Sequence, residues 1–480
     1  MAIRPLHKRL FASLSRSAAI NLALAVLVVT AHAVAGITGA LAAQQPRNII
    51  IMLADGAAAT QWDFGRYSSL ILRQQPFAST DTVFRKGSVG LLRTHSANAI
   101  VTDSAAAASA MSTGIQVENG ALSVTPNGTP LPTLMEVAKA NGKRIGLVTT
   151  ARVYDATPAA FSLHAKSRWN SEALVDQYLQ LEPDVLLGGG ADYFLPAGAR
   201  GGKRKDGKDV IAAFRAKGYE LASNTAELKA ATRSKLLGLF AAEDMQFELD
   251  RNPEVEPTTA EMAAAALKAL SQNGPHGFVL LVENENVDTA GHHNDAASLM
   301  RALWAFDDAV KVALEFQRHN PDTLVIVTGD HETGGFSITD ALKDLTKLTW
   351  ENRFSPTAEH LRMIGRISIS LSAFSERLGA KAAGERLDEL LAKHLPGFRL
   401  DPDLRELILR RRPLDRNFGA LTQNVLGRMI ARQTGYYWGT SGHTPEPVVV
   451  GAIGPGAELF RGYQDNTDFG KHLHRLIQVK

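Results

Sequence analysis

Short runs of apolar, largely β-branched residues recur along the chain, each closing on polar or small residues. They are Asn48–Leu53, Arg144–Val148, Val185–Leu187, Phe278–Val282, Leu324–Val327 and Val448–Ile453. None alternates polar with apolar positions, so these strands are expected to be covered on both faces. Between them apolar positions return at helical spacing, over Leu131–Ala140, Thr258–Ser271 and Ala296–Gln317. Strands separated by helices predict an α/β fold, with a large, mostly parallel central sheet and helices on both faces. In such sheets ligands gather at the carboxyl ends of the strands.

Two regions break this rhythm. Gly198–Asp209 is a basic, glycine-rich stretch that reads as a surface loop. Leu342–Leu426 carries many charges, proline breaks and helical periodicity, and reads as a crown-like helical insertion between the last two core strands. There is no internal repeat.

The first 43 residues have the pattern of an address. Arg4, Lys8, Arg9 and Arg16 precede an apolar stretch from Ala18 to about Ala43, which ends in Ala40-Leu41-Ala42. That pattern predicts a secretory signal peptide cleaved near Ala42 or Ala43. The remaining domain, 44–480, is then periplasmic or secreted, with no membrane attachment after cleavage. An uncleaved anchor is the alternative, since the stretch is long enough to span a bilayer. Thr30, His32 and the many small residues weaken that alternative.

The formal net charge of +3 comes from 52 basic and 49 acidic residues. The leader holds four basic and no acidic residues, so its removal leaves 48 against 49. The basic balance therefore gives no reason to expect a nucleic-acid partner. Cysteine is absent. Disulfides, thiolate-bound zinc and iron–sulfur clusters are excluded, and histidine and carboxylates remain as metal ligands.

Those ligand types concentrate at the strand ends. Asp55 follows the first run, Glu283 and Asp288 the fourth, and Asp330-His331 the fifth, while His443 lies just before the last. Asp288 and His292 are four apart and share a face if the segment is helical. Taken singly, each is a solvated helix face or an exposed turn more often than a ligand. Taken together at strand ends, they point to a Zn²⁺-type site with an open position for water or substrate.

Val101–Gly114 adds a different element. Asp103-Ser104 heads a run of alanine and serine, which places Ser104 at or beside a helix N-terminus. Free backbone N–H groups and the helix dipole make such a terminus a site for an anion, and a hydroxyl there is a candidate nucleophile. By itself this segment reads as a plain helix cap.

In this setting the chain resembles the alkaline phosphatase family from Asn48 to its end. The resemblance lies in ordered segments: Ile51–Gly56, Val101–Ala106, Asp155–Ala160, Gly188–Phe194, Val282-Glu283, Val287-Asp288, His292–Asp295, Thr328–Gly335 and Gly442–Thr444. It implies a phosphate monoesterase that works through a phosphoserine on Ser104. It implies a first zinc on Asp288, His292 and His443 and a second on Asp55, Asp330 and His331, the latter holding the serine oxygen. Asp55 also reaches a third site, usually Mg²⁺, whose other ligands correspond to Asp155, Thr157 and Glu283. Arg168 matches the phosphate-binding arginine and Asp103 its positioner. The expected partners are small phosphate esters, with a possible homodimer.

The chain departs from the pattern in places. Thr289 stands where well-known members carry lysine or histidine. Glu285 falls in a stretch more acidic than the family's; it could support the metal ligands from behind or lie at the surface, and the surface reading is preferred. His293, His95 and His164 read as packing residues or as supports behind the ligands, and Arg152 is a weaker rival to Arg168. A phosphodiesterase or sulfatase of the same superfamily is the alternative. Ser104 argues against both, because those relatives often use threonine or a modified cysteine. A binding protein without catalysis is the third reading, and the complete ligand set opposes it.

Overall fold

The computed structural model describes residues 45–478, apart from 200, 273, 345, 382 and 415–420. The expected signal peptide lies outside the described residues.

Ten strands form the main sheet: β1 Asn48–Ala54, β2 Ser88–Arg93, β3 Arg144–Arg152, β4 Val185–Gly189, β5 Glu220–Ala222, β6 Leu236–Leu239, β7 Phe278–Asn284, β8 Thr323–Thr328, β9 Val448–Ile453 and β10 Gly462–Asp465. Their order is β10-β2-β9-β8-β1-β7-β3-β4-β6-β5. Only β9 runs against its neighbours, pairing antiparallel with both β2 and β8. This is the large, mostly parallel sheet that the apolar runs predict.

Alternate residues of the central strands feed two separate cores. Ile50, Met52, Leu280, Val282, Val325 and Val327 face one side, against helices Thr259–Leu270 and Ala296–His319. Ile49, Ile51, Leu53, Val279, Leu281 and Ile326 face the other, against helices that include Ser104–Thr113 and Asn466–Leu476. Burial on both faces explains why these strands carry no polar alternation.

β2 shows the opposite pattern. Its residues alternate buried and exposed, with Val89 and Leu91 each 39% exposed. One face of the sheet is open at that end, and the run Ser-Val-Gly-Leu-Leu-Arg accordingly lacks the apolar signature of the central strands.

The register of the parallel strands assembles the site. Leu53 of β1 lies level with Glu283 of β7 and with Thr328 of β8. The residues just beyond them, Asp55, Glu285 and Asp330, must therefore emerge at the same edge.

Between Phe336–Ile338 and Tyr436–Trp438, which pair antiparallel, the chain forms short helices that end with Leu421–Thr434. The described residues of the Gly198–Asp209 stretch lie at the surface except for Arg204. That side chain is fully buried, with Nη2 donating to Asp176 at 2.8 Å and Asp206 at 2.6 Å.

Asp295 caps the long helix Ala296–His319 and is itself buried. Its carboxylate accepts from Ala297 N at 3.1 Å, Ser298 N at 3.0 Å, Ser298 Oγ at 2.7 Å and Leu371 N at 2.7 Å. Asp295→Ala strands four buried donors, so denaturant unfolding is expected to show a loss of about 2–4 kcal/mol. A loss below about 0.5 kcal/mol would contradict this anchoring.

Candidate active site

Ser104 is the first residue of helix Ser104–Thr113, and Asp103 is its N-cap, accepting from Ala106 N at 3.0 Å. The alanines have a second reason beyond helix propensity. This helix is buried around nearly its whole circumference, from Ser104 to Ser112. Helix Asn466–Leu476 approaches so closely that a Cβ on Gly470 would lie 2.5 Å from Gly114 N. Small side chains on both helices allow that approach and so fix where Ser104 points.

The Ser104 hydroxyl lies 3.0 Å from His331 Nε2. Around it are two groups of ligand atoms: Asp288, His292 and His443 in the first, and Asp55, Asp330 and His331 in the second. In the first group, His292 Nε2 is 3.1 Å from Asp288 Oδ2 and 3.2 Å from His443 Nε2, and His443 Nε2 is 3.6 Å from Asp288 Oδ1. In the second, His331 Nε2 is 3.4 Å from both Asp55 Oδ1 and Asp330 Oδ2. A tetrahedron of N and O ligands about 2.0–2.1 Å from a Zn²⁺ ion has edges of about 3.3–3.4 Å. The separations in both groups lie around that edge length. Asp55 Oδ1 and Asp330 Oδ2 are buried with no hydrogen-bond partner among the described residues. Both groups therefore fit a small N/O-liganded cation.

The electrostatics agree. Burial, then the neighbouring Asp330 and Asp288 carboxylates, raise Asp55 well above the usual carboxylate range. Asp330 is pushed up to about 7 by burial and Asp288, and Glu283 to about 8 by burial and then by Asp155 and Asp330. Burial would also raise Asp288, but His292, His443 and His331 outweigh it and hold that carboxyl well below its ordinary value. Carboxylates crowded in this way lack positive charge, which a bound cation supplies.

The other predicted residues fall nearby. Thr157 Oγ1 donates to Asp55 Oδ2 at 3.5 Å. Glu283 accepts from Thr149 Oγ1 at 2.5 Å. Asp155 turns toward Arg168, whose Nη2 lies 3.2 Å from its Oδ2, while Arg168 Nη1 lies 3.5 Å from Asp103 Oδ2. The Nε of Arg168 is buried with no partner among the described residues. Arg152 donates to Asp244 Oδ1 through both its backbone N and its Nε. His164 binds Glu136 and the Ser123 carbonyl, His95 pairs with Gln116, and His293 with Ser372.

Glu285 departs from the surface reading. It is half-buried, accepts from the Thr289 hydroxyl and lines a cavity of about 230 Å³ with Asp244, His293 and Ser372. Sequence reasoning also passed over Thr333 and Glu332. Thr333 Oγ1 donates to Asp288 Oδ1 and lies 3.2 Å from His331 Nδ1, so one hydroxyl joins ligands of both groups. The Glu332 carboxylate is fully buried and accepts from Gln61 Nε2 at 2.7 Å, Gly335 N at 3.0 Å, Phe336 N at 3.0 Å and Thr444 Oγ1 at 2.6 Å. It thus ties the His443–Thr444 strand to the Glu332–Thr333 strand that follows His331. Both residues stand directly beyond the Asp330-His331 pair, and that adjacency was the available signal.

Two groups able to hold a cation thus flank a serine hydroxyl at a helix N-terminus. The sequence model of the alkaline phosphatase family matches residues 46–479. The chain is 30% identical over 473 residues to the repressible alkaline phosphatase of Saccharomyces cerevisiae, covering 91% of this chain and 82% of that one. It is 31% identical to alkaline phosphatase 3 of Bacillus subtilis, over 90% of this chain and 89% of that one. The crystal structure of Thermus thermophilus alkaline phosphatase superposes with a TM-score of 0.82 at 30% identity, covering 91% of this chain and 92% of that one. The chain belongs to the alkaline phosphatase family, whose members are metal-dependent phosphomonoester hydrolases.

A pH prediction follows for the metal-free protein. Asp55, Asp330 and Glu283 keep protons in the fold that the unfolded chain has already released, so their contribution to stability falls as pH rises from about 4 through 8. His331, held neutral by burial and by the His443 charge, opposes this only below its ordinary value near 6.5. The urea midpoint of metal-stripped protein is expected to fall between pH 6.5 and 8, and saturating Zn²⁺ to flatten the slope. An unchanged slope with and without zinc would contradict the placement of cations among these carboxylates.

Proposed function

We propose that Ser104 is the nucleophile in phosphate monoester hydrolysis by this chain, and that the two ligand groups hold Zn²⁺. The observation that carries this reading is the Ser104 hydroxyl, 3.0 Å from His331 Nε2 at the head of a buried helix. Bound zinc ions would supply charge neutralisation and lower the pKa of the oxygens they meet, which a serine hydroxyl needs at neutral pH.

The chain's own groups do the rest. Ser104 Oγ attacks phosphorus in line with the ester oxygen, the P–O bond to the alcohol breaks, and the alcohol leaves with a proton. Water then cleaves the Ser104 phosphoester, releasing phosphate and restoring the hydroxyl. Arg168 takes non-bridging phosphate oxygens through its unpartnered Nε and the neighbouring Nη, held in position by Asp103 and Asp155. The helix N-terminus at Ser104 favours the same charge. Asp55, Asp155, Thr157 and Glu283 would hold a third ion, Mg²⁺, with Asp155 also engaged by Arg168.

We also propose that residues 1–43 are removed on export, giving a periplasmic or secreted domain of residues 44–480 with 342–426 as its insertion. Amino-terminal sequencing of exported protein should begin near Ala43 or Gln44. Tyr463 pairs with Leu91, near Val89 and Ile100, and all four are exposed. This apolar edge supports a homodimer, which sedimentation would reveal.

Ser104→Ala is expected to lower p-nitrophenyl phosphate turnover by at least ~1000-fold while zinc content stays at the wild-type level. A fully active variant would overturn the mechanism. Arg168→Ala should weaken inhibition by inorganic phosphate roughly 10–100-fold without changing bound zinc. Turnover of monoester, diester and sulfate ester substrates side by side separates the monoesterase from its superfamily alternatives.

A further inference from the structure

Outside the ligand groups, the helix Leu421–Thr434 makes an unusual contact. It closes the run of helices that precedes the Tyr436–Trp438 strand. Yet Asn424, 7% exposed on its second turn, uses both hydrogens of one amide inside the site. Its Nδ2 donates to the His292 carbonyl at 2.9 Å and to Asn294 Oδ1 at 2.9 Å.

Asn294 passes the contact on. Its own Nδ2 donates to Gly291 O at 3.0 Å and to Thr440 O at 2.8 Å. The Ser441 carbonyl, one residue further, lies 2.7 Å from His292 Nδ1. Because His292 Nε2 faces Asp288 and His443, ligation there puts the proton on Nδ1, which donates to Ser441. The turn that carries His292 and the loop that leads to His443 are thus bound into one unit, and Asn424 is its outer clasp.

Two backbone features make the clasp specific. Asn294 has φ +54, a left-handed conformation that asparagine tolerates better than most residues. Gly427 lies one turn beyond Asn424 on the same helix face. A Cβ at Gly427 would stand 2.5 Å from the Asn294 carbonyl oxygen, so only glycine lets the helix come close enough for Asn424 to reach. Among the described residues, no hydrogen bond joins this helix to Asp55, Asp330 or His331.

We infer that Asn424 is a positioning residue for the Asp288–His292–His443 group alone, setting its affinity for a cation without touching cation or substrate. This rests on the proposed reading of that group as a zinc site. Removing the clasp frees His292 and His443 to depart from their 3.2 Å separation, while the Asp55–Asp330–His331 group keeps its own anchors. Loss of such an orienting partner costs roughly 10–100-fold in metal affinity.

The test uses the whole protein, stripped of metal and titrated with Zn²⁺ alone against a chromophoric chelator. Asn424→Leu keeps the size and removes both donors. One of the two tight zinc equivalents is expected to weaken 10–100-fold and the other to stay within about twofold. At saturating zinc p-nitrophenyl phosphate turnover should rise toward wild type, while the unfolding midpoint stays lower, because a weaker site adds less stability at any zinc concentration. Co²⁺ titration should show the same selectivity, with the visible bands of one site displaced to higher metal concentration. If Asn424→Leu fails to fold, Asn424→Ser, too short to reach both acceptors, is read in the same way. Equal weakening of both equivalents, or no weakening, overturns the inference. The control is His292→Ala: if it loses no zinc equivalent relative to wild type, the metal reading of the group fails first, and the role of Asn424 falls with it.

Discussion

The constraint on which the structure depends is the burial of acidic side chains at one end of a parallel sheet. Asp55, Glu283, Asp288 and Asp330 are all nearly inaccessible to water. Two unit charges 4 Å apart interact by about 4 kcal/mol even at an effective dielectric constant of 20. Several such repulsions compare with the whole stability of a domain, about 5–15 kcal/mol. A helix N-terminus offers only about half a charge, and it is aimed at Ser104. The neighbouring imidazoles shield mainly Asp288. Asp55, Glu283 and Asp330 are therefore driven to hold protons unless cations join them. Hydrolytic metal chemistry and folding stability become one requirement at this edge.

The route to that crowding runs through register. Three adjacent parallel strands, β7, β1 and β8, end level with one another, so residues distant in sequence leave the sheet side by side. The serine comes from elsewhere, on a helix with alanine or another small residue at nearly every position because both its neighbours press close. The same need for close approach recurs at Gly427 and Gly470. Precision at the site is set by small residues several turns away, which carry no chemistry themselves.

Much of this was legible in the chain before its fold was known, and the reasons are particular. The central strands announce themselves because burial on both faces removes polar alternation. β2 does not, because one of its faces is open, and β5 and β6 are short runs at the far side of the sheet. The ligand groups were readable because acids and histidines lie directly after strand runs. Thr333 and Glu332 carried only the signal of standing beside Asp330-His331, and Asn424 carried none. Their roles exist only in partners 45, 112 and 132 positions away in sequence. Glu285 read as surface because acidity is the usual mark of exposure. It is drawn inward by its place at the end of β7 and by the Thr289 hydroxyl.

Thr289 bears on how this chain meets a phosphate. A lysine or histidine at that position would bring positive charge, whereas this hydroxyl is committed to Glu285. Arg152 is likewise committed, to Asp244, through three atoms' worth of geometry: its backbone N, its Nε and their shared Oδ1 acceptor. Under the proposed roles, Arg168 is then the side-chain cation facing the substrate, and two carboxylates already share it. An arginine held by two acids is well oriented but partly neutralised. It therefore meets a phosphate in a fixed orientation. Under the same roles, the metal ions and the Ser104 helix terminus would share the binding of phosphate with Arg168.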